Sequence, residues 1–385
     1  MSETVTHVQR ALYPLLRPFS WIYGGVMRVR AGLYRRGLLP RWEAPALTVS
    51  VGNIGWGGSG KTPVADWLLG WAESKSIPVA LLTRGYRAKP KRLPYEVKPG
   101  ALAEEAGDEP LMLARAHEKA LIMVDPNRSR AGRLAVQKAH PELIILDDGF
   151  QHMAVQRHVN LVLLRPEDLR EGWNRVIPAG SWREPEAALR RADAFMIKVG
   201  PKGFGLLRPS IDERLARFGK PVFSFRLLPT GLRSVIGAET VRDFEGEPYL
   251  LATGVGDPAQ VKATAEAYFG YPPKKHQVFR DHHTFSKQDA LDLAQEAAQL
   301  GCAGVLCTPK DAVKLGAMCT EVFWQFDLSL EFGPSTLGEG AKFSTWWDRR
   351  YDSFRLRLAD RAEHEANYKA RHEADLPPAK GDNHG

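Results

Sequence analysis

The chain has 385 residues, enough for two domains with sizeable cores, and 44% of them are hydrophobic. Its 53 Lys and Arg against 45 Asp and Glu give a formal net charge of +8, yet no recognisable nucleic-acid motif is present and the excess charge is gathered at one end. The three cysteines, Cys302, Cys307 and Cys319, lack a metal-ligand spacing, and their odd number argues against a disulfide framework and for a reducing cytoplasm.

The basic end is the segment 1–45, where seven arginines face only Glu3 and Glu43. On a helical projection Leu12, Leu15, Phe19, Ile22, Val26, Val29 and Leu33 share one face, and Arg10, Arg17, Arg28 and Arg35 lie opposite. The longest uncharged stretch, Pro18 to Met27, is about half the length of a spanning helix. Two readings fit: a helix lying on an anionic membrane surface, or an amphipathic helix packed on the protein's own core. Pro14 and Pro18 predict a regular helix only from near Phe19. No compact apolar core precedes a small-residue cleavage site, so a cleavable signal peptide is not expected.

Ala46 to Val51 reads as a short apolar strand, and the glycine-rich run Gly55-Trp56-Gly57-Gly58-Ser59-Gly60-Lys61-Thr62 follows it. Pro63 then opens a helical stretch to about Lys75. Strand, G-x-x-x-x-G-K-T loop and helix are the arrangement in which backbone N–H groups and a helix N-terminus converge on phosphate oxygens. In that arrangement Lys61 reaches the β- and γ-phosphates of a nucleoside triphosphate, and Thr62 holds Mg²⁺. Further strands are predicted at Val79 to Thr83, Ala120 to Val124, Leu143 to Leu146, Leu161 to Leu164 and Ala194 to Val199, with helices near Pro110 to Lys119 and Ser129 to Ala139. The alternation predicts a doubly wound parallel α/β sheet. Asp147-Asp148-Gly149 ends the apolar run Leu143 to Leu146; it is a good turn sequence, but beside a phosphate loop its carboxylates are also Mg²⁺ candidates.

Around Phe225 to Val235 the pattern breaks at Pro229 and Gly231, which suggests a linker. A second, smaller α/β set follows: Tyr249 to Thr253, a helix Ala259 to Phe269, Gln277 to Phe279, a helix Lys287 to Leu300, Gly304 to Thr308 and Val322 to Leu328. The expected organisation is an N-terminal amphipathic segment over 1–45, a phosphate-loop domain over 46–227, a second α/β domain over 228–335 and a charged extension over 336–385. Beyond Leu376 the composition predicts a disordered tail.

Gly52-Asn53, the phosphate loop with Pro63, Arg84-Gly85-Tyr86, Gly107-Asp108-Glu109-Pro110, Asp147-Asp148-Gly149-Phe150-Gln151-His152, Arg183-Glu184, Asp281-His282-His283 and Lys310-Asp311-Ala312-Val313-Lys314 occur in this order. In order and spacing the chain resembles the tetraacyldisaccharide 4′-kinases over roughly residues 10 to 330. The resemblance implies ATP-dependent phosphorylation of the 4′-hydroxyl of a tetra-acylated glucosamine disaccharide 1-phosphate, a lipid A precursor. It also implies peripheral attachment to the cytoplasmic face of a bacterial inner membrane, and an active site in a cleft between two α/β domains. No protein partner is expected.

From the residues alone Asp108 is an ordinary N-cap; by resemblance it is the catalytic base, with His282, or alternatively His283, as the partner that favours its ionised form. Lys61 completes the catalytic set, Thr62, Asp147 and Asp148 are the Mg²⁺ candidates, and Arg84 and Arg183 are phosphate binders or structural ion pairs. Glu109, Gln151 and His152 are expected to line the site. Family members commonly carry Thr-Glu-Lys-Asp where this chain has Thr308-Pro309-Lys310-Asp311, which puts the role of that loop in question. A membrane-attached ATPase switch also suits the loop and the basic helix, but such switches carry a second lysine near the start of the loop, which Gly55-Trp56-Gly57 lacks. A kinase for a small soluble metabolite would leave the N-terminal helix unexplained.

Overall fold

In the computed structural model the described residues are 12–374, so Arg10 and the expected tail beyond Leu376 lie outside them. The chain begins with helix α1 (Tyr13–Arg35) and strand β1 (Leu47–Asn53), followed by α2 (Lys61–Ser74), β2 (Val79–Thr83) and β3 (Tyr95–Glu96). Next come α3 (Asp108–Ala116), β4 (Leu121–Val124), α4 (Arg128–Ala139), β5 (Leu143–Asp147), β6 (Val159–Leu164), β7 (Ala194–Lys198) and α5 (Pro201–Leu215). The remainder is β8 (Val222–Ser234), β9 (Thr240–Val241), β10 (Tyr249–Thr253), α6 (Pro258–Phe269), β11 (Lys275–Val278), α7 (Lys287–Gln299), β12 (Gly304–Cys307), α8 (Pro309–Leu315), β13 (Phe323–Thr336) and α9 (Phe343–Ala374).

The strands form a 13-stranded sheet in the order β11-β10-β12-β13-β8-β7-β6-β1-β5-β2-β4-β3, with β9 on β8. β7, β6, β1, β5, β2 and β4 are all parallel neighbours, as are β11, β10, β12 and β13. Strands flanked by helices on both faces must be apolar throughout, and every residue of β1, β2, β6 and β10 is buried. The C-terminal edge of β1, β5 and β2 is where the glycine loop, Asp147 and Thr83 emerge, the usual ligand side of such a sheet.

Two expectations are corrected. The segment 225–235 is no linker: it lies within the 13-residue strand β8, which pairs antiparallel with β13. Pro229 and Gly231 are tolerated there because the register shifts opposite Asp327 and Leu328, and a proline at a bulge removes no ladder hydrogen bond. This long two-stranded ribbon joins the two parallel sets. The second correction concerns α1, which starts at Tyr13 rather than near Phe19. Pro14 occupies the first turn, where its missing N–H has no intrahelical partner to lose, and the helix also carries Pro18.

The buried residues of α1 are Ser20 and Gly24. Ser20 Oγ donates to the Val176 carbonyl at 2.8 Å and accepts from the Ala179 N–H at 3.1 Å, and Arg30 donates to the Gln151 carbonyl at 3.3 Å. A small, polar strip therefore holds the helix to the body. Leu15, Phe19, Ile22, Val26 and Val29 are all more than half exposed, and Trp21 joins them at 64%. No helix among the described residues is long and apolar enough to cross a membrane. Among the described residues, 12–340 form one compact unit; from Ala341 a second unit contains the 32-residue helix α9, where the sequence had suggested only a charged extension.

Candidate active site

The loop between β1 and α2 has the shape its glycines predict. Gly57 and Gly60 have φ of +106° and +87°, a region open to glycine at little cost, and Gly60 is the N-cap from which α2 starts at Lys61. Trp56 N–H donates to the Ser181 carbonyl at 3.0 Å, anchoring the front of the loop. Lys61 Nζ stands 3.5 Å from Asp148. Thr62 Oγ1 donates to Glu109 Oε2 at 2.8 Å, leaving the oxygen's lone pairs available to a cation.

The two aspartates at the end of β5 are treated differently by their surroundings. Asp147 accepts from Thr83 Oγ1 at 2.8 Å through Oδ2, while its Oδ1 is buried without a hydrogen bond. Burial, reinforced by the charge of Glu109 and opposed by Lys61, pushes the Asp147 carboxyl up to about 6. Burial also raises Asp148, but Lys61, Arg183 and Arg128 together outweigh it and hold this carboxyl below the usual range. Arg183 forks onto Asp148 at 2.8 and 3.2 Å and donates to Asn53 Oδ1 at 2.9 Å and Gln151 Oε1 at 3.2 Å. It is thus a structural cross-brace of the site, one of its two sequence readings.

Among the described residues no group of three or more His, Cys, Asp or Glu is arranged to hold a metal. Mg²⁺ on a nucleotide needs fewer: it keeps waters and phosphate oxygens and takes one or two protein ligands. The orphaned, buried Asp147 Oδ1 and the Thr62 hydroxyl fit that demand.

Asp108 is the first residue of α3, and Gly107 rather than Asp108 occupies the N-cap position. Its carboxylate faces His282 Nδ1 at 3.3 Å, across 174 residues of sequence. Burial pushes Asp108 up, but the His282 hydrogen bond and the charges of Lys314 and Lys310 prevail and hold it below the usual carboxylate range. His282 sits in a turn with φ of +60°, fixed by a 3.2 Å hydrogen bond from its N–H to the Gly254 carbonyl. Its Nε2 is 3.3 Å from Lys310 Nζ. Since ammonium can only donate, Nε2 is the acceptor and Nδ1 carries the hydrogen given to Asp108. His283 turns away, onto Asp289 at 3.3 Å and the Phe279 ring, which resolves the choice between the two histidines.

The remaining residues take varied positions. Glu109 lies between Thr62 and Lys310, 3.9 Å from the latter. Gln151 Nε2 donates to the Asn53 carbonyl at 3.0 Å. His152 is half-buried, and burial followed by Arg128, Arg157 and Arg30 drives it down to about 4, so it is neutral near pH 7. Arg84 is exposed just beyond the end of β2. Thr83 lies at the site although the sequence reading did not single it out, and Asn53 and Lys310 were quoted there only as parts of motifs, without a role of their own. Lys310 lies in the motif Lys310 to Lys314, whose other charged members, Asp311 and Lys314, form a buried 2.8 Å ion pair, with Asp311 also accepting from Gly254 N–H at 3.0 Å. Pro309, in place of the family's glutamate, occupies the first turn of α8 and leaves Lys310 in reach of the site.

Comparison with known proteins shows the family. The model of the tetraacyldisaccharide-1-P 4′-kinase family matches residues 12–341. The tetraacyldisaccharide 4′-kinase of Nitratidesulfovibrio vulgaris is 50% identical over 347 residues, covering 90% of this chain and 96% of its own. That of Oleidesulfovibrio alaskensis is 47% identical, covering 89% and 97%. A crystal structure of LpxK from Aquifex aeolicus in complex with ATP is 29% identical, with a TM-score of 0.66, over 85% of this chain and 95% of that one. The chain therefore belongs to the tetraacyldisaccharide-1-P 4′-kinase family.

Proposed function

We infer that the chain carries out the reaction its family is named for: transfer of the γ-phosphate of ATP to the 4′-hydroxyl of a tetra-acylated disaccharide 1-phosphate, a lipid A precursor. The observation that carries this reading is the meeting of two groups of residues in one place. A phosphate loop with Lys61, Thr62 and Asp147 stands beside an acid–imidazole pair, Asp108 and His282, drawn from opposite halves of the sheet. Phosphoryl transfer needs these two things, neutralised phosphate charge and an oriented hydroxyl with a proton acceptor.

Lys61 and the N-terminus of α2 bind the phosphates, and Thr62 and Asp147 would hold Mg²⁺, with Asp148 keeping Lys61 in place. When bound, the metal neutralises charge on the β- and γ-phosphates. Asp108 takes the proton of the 4′-hydroxyl, because Lys310 engages the one lone pair of His282 and leaves the carboxylate as the open acceptor. A second reading makes His282 Nε2 the acceptor and Asp108 its orienting partner, favoured by the depressed basicity of Asp108. In it Lys310 swings to Glu109 or Asp281, at 3.9 and 4.0 Å. Arg84, Gln151 and His152 serve the acceptor's side of the site.

The segments 46–227 and 228–335 act as two lobes joined through the β8–β13 ribbon. The exposed apolar row of α1 lies on an anionic membrane surface, the cytoplasmic face of the inner membrane, where a lipid acceptor resides. The test is incubation of the purified protein with γ-labelled ATP and the tetra-acylated disaccharide 1-phosphate in detergent micelles. Label is expected in the lipid, and an acceptor lacking the 4′-hydroxyl should take none. Release of label as inorganic phosphate, at a rate indifferent to lipid, would overturn the reading.

A further inference from the structure

Two cations stand against glycines of the phosphate loop, and they differ in one respect. Near the loop's start, the Cβ position of Gly57 lies 3.0 Å from Arg165 Nη1. The charge of Arg165 is already answered: its guanidinium binds Asp168 at 3.0 and 3.3 Å and Ser181 Oγ at 3.2 Å. At the loop's other end, the Cβ position of Gly60 lies 3.5 Å from Lys198 Cδ and 2.8 Å from Phe225 Cζ. Lys198 ends β7, the second strand from β1, so its side chain leaves the sheet on the edge where the loop emerges. It is half-buried, and burial pulls its pKa below the ordinary lysine value, with only the Asp257 carboxylate, from the N-cap of α6, pulling the other way. Among the described residues no carboxylate lies within ion-pair distance of Lys198.

A desolvated ammonium without an ion-pair partner is costly and gains most from an anion. The anion that the adjoining loop is built to bring there is a nucleotide's phosphate chain. We propose that Lys198 is a nucleotide-binding residue, its stem packed on Gly60 and its ammonium meeting the phosphate chain of ATP at the end of the loop from which α2 starts. This rests on the kinase reading above and deepens it by adding a phosphate contact from a strand distant in sequence.

The test measures affinities of ATP, ADP and adenosine for the full-length protein by titration calorimetry, in wild type, Lys198→Met, Lys198→Arg and Asp257→Asn. Lys198→Met keeps the stem and removes the charge, so it should weaken ATP and ADP roughly ten- to a hundredfold and leave adenosine unchanged. Lys198→Arg should recover part of the loss. Asp257→Asn, which removes the competing carboxylate, should bind ATP as well as wild type or better. The proposal is overturned if Lys198→Met binds ATP like wild type. It is also overturned if ATP, ADP and adenosine weaken equally, or if Lys198→Met and Asp257→Asn lower turnover alike at unchanged affinity, the mark of a latch between the two residues. Should Lys198→Met melt early, the Lys198→Arg and Asp257→Asn affinities decide alone: an Arg variant with wild-type fold but no ATP preference over adenosine sinks the idea. Absence of ATP binding in the wild type would instead defeat the kinase reading itself.

Discussion

Asp108 and His282 make different demands on the two readings of proton transfer. If the carboxylate is the acceptor, Asp108→Asn should lower turnover by roughly a hundredfold or more and His282→Ala by less, both with little change in ATP affinity, because a base acts in the chemical step. The reverse ranking assigns the proton to His282. Loss of ATP binding in parallel with turnover in both variants would contradict either assignment and make the pair structural. At the phosphates, Lys61→Ala and Asp147→Asn should each cost on the order of a hundred- to a thousandfold in turnover at unchanged melting temperature, since each removes charge stabilisation rather than packing. Near-normal turnover in a folded variant would take the loop out of the mechanism. Lys61 and Asp147 were legible in the sequence because their signals are local, a loop motif and an acidic strand end, whereas Asp108 and His282 were singled out only through the family resemblance. The positions of Lys310, quoted only within a motif, and of Lys198 were not legible, because each is set by a contact with residues more than twenty positions away, His282 and Gly60.

At the scale of elements, α2 is held to the end of α3 by His117, which bridges Glu73 at 2.8 Å and Asp66 at 3.0 Å with its side chain only 10% exposed. Burial lowers this imidazole, but the hydrogen bonds to Asp66 and Glu73 outweigh it and raise it above the ordinary histidine value. A raised folded-state value means that the clamp is fully present below the unfolded value of about 6.5 and fades as pH rises through the folded one. His117→Ala should therefore destabilise by about 1–2 kcal/mol near pH 6, with a gap that narrows toward pH 9 in urea unfolding. A gap independent of pH would exclude a charged clamp.

The helix α1 invites a second measurement. Reversal of Arg10, Arg17, Arg28 and Arg35 should release the enzyme from anionic vesicles, at roughly 1 kcal/mol for each arginine near the surface, while turnover on a short-chain soluble acceptor survives. Vesicle binding indifferent to the reversals and to salt would contradict an electrostatic interfacial helix. The sequence marked the apolar face of α1 but left its surroundings open, since periodicity states which residues share a face and is silent on what covers it. The structure turns Ser20 and Gly24 inward and leaves Phe19, Ile22, Val26 and Val29 exposed.

Across the whole molecule, the parallel strands were readable because residues buried on both faces leave continuous apolar runs, as in Leu143 to Leu146 and Tyr249 to Leu251. The ribbon β8–β13 was not, because Pro229 and Gly231 carry the signature of a break and only the antiparallel partner with its shifted register makes a strand of them. That ribbon matters to function: it joins the set of strands that carries the phosphate loop to the set whose loops carry His282 and Lys310. The account's central claim is that residues from both sets act together on one hydroxyl. It is tested most directly by quantifying, in one quenched reaction with γ-labelled ATP and the lipid acceptor in micelles, the ADP formed and the position of the new phosphate by tandem mass spectrometry. The account predicts one 4′-monoester for each ADP; ADP formed in excess of lipid phosphate, or phosphate at any other hydroxyl, would contradict it.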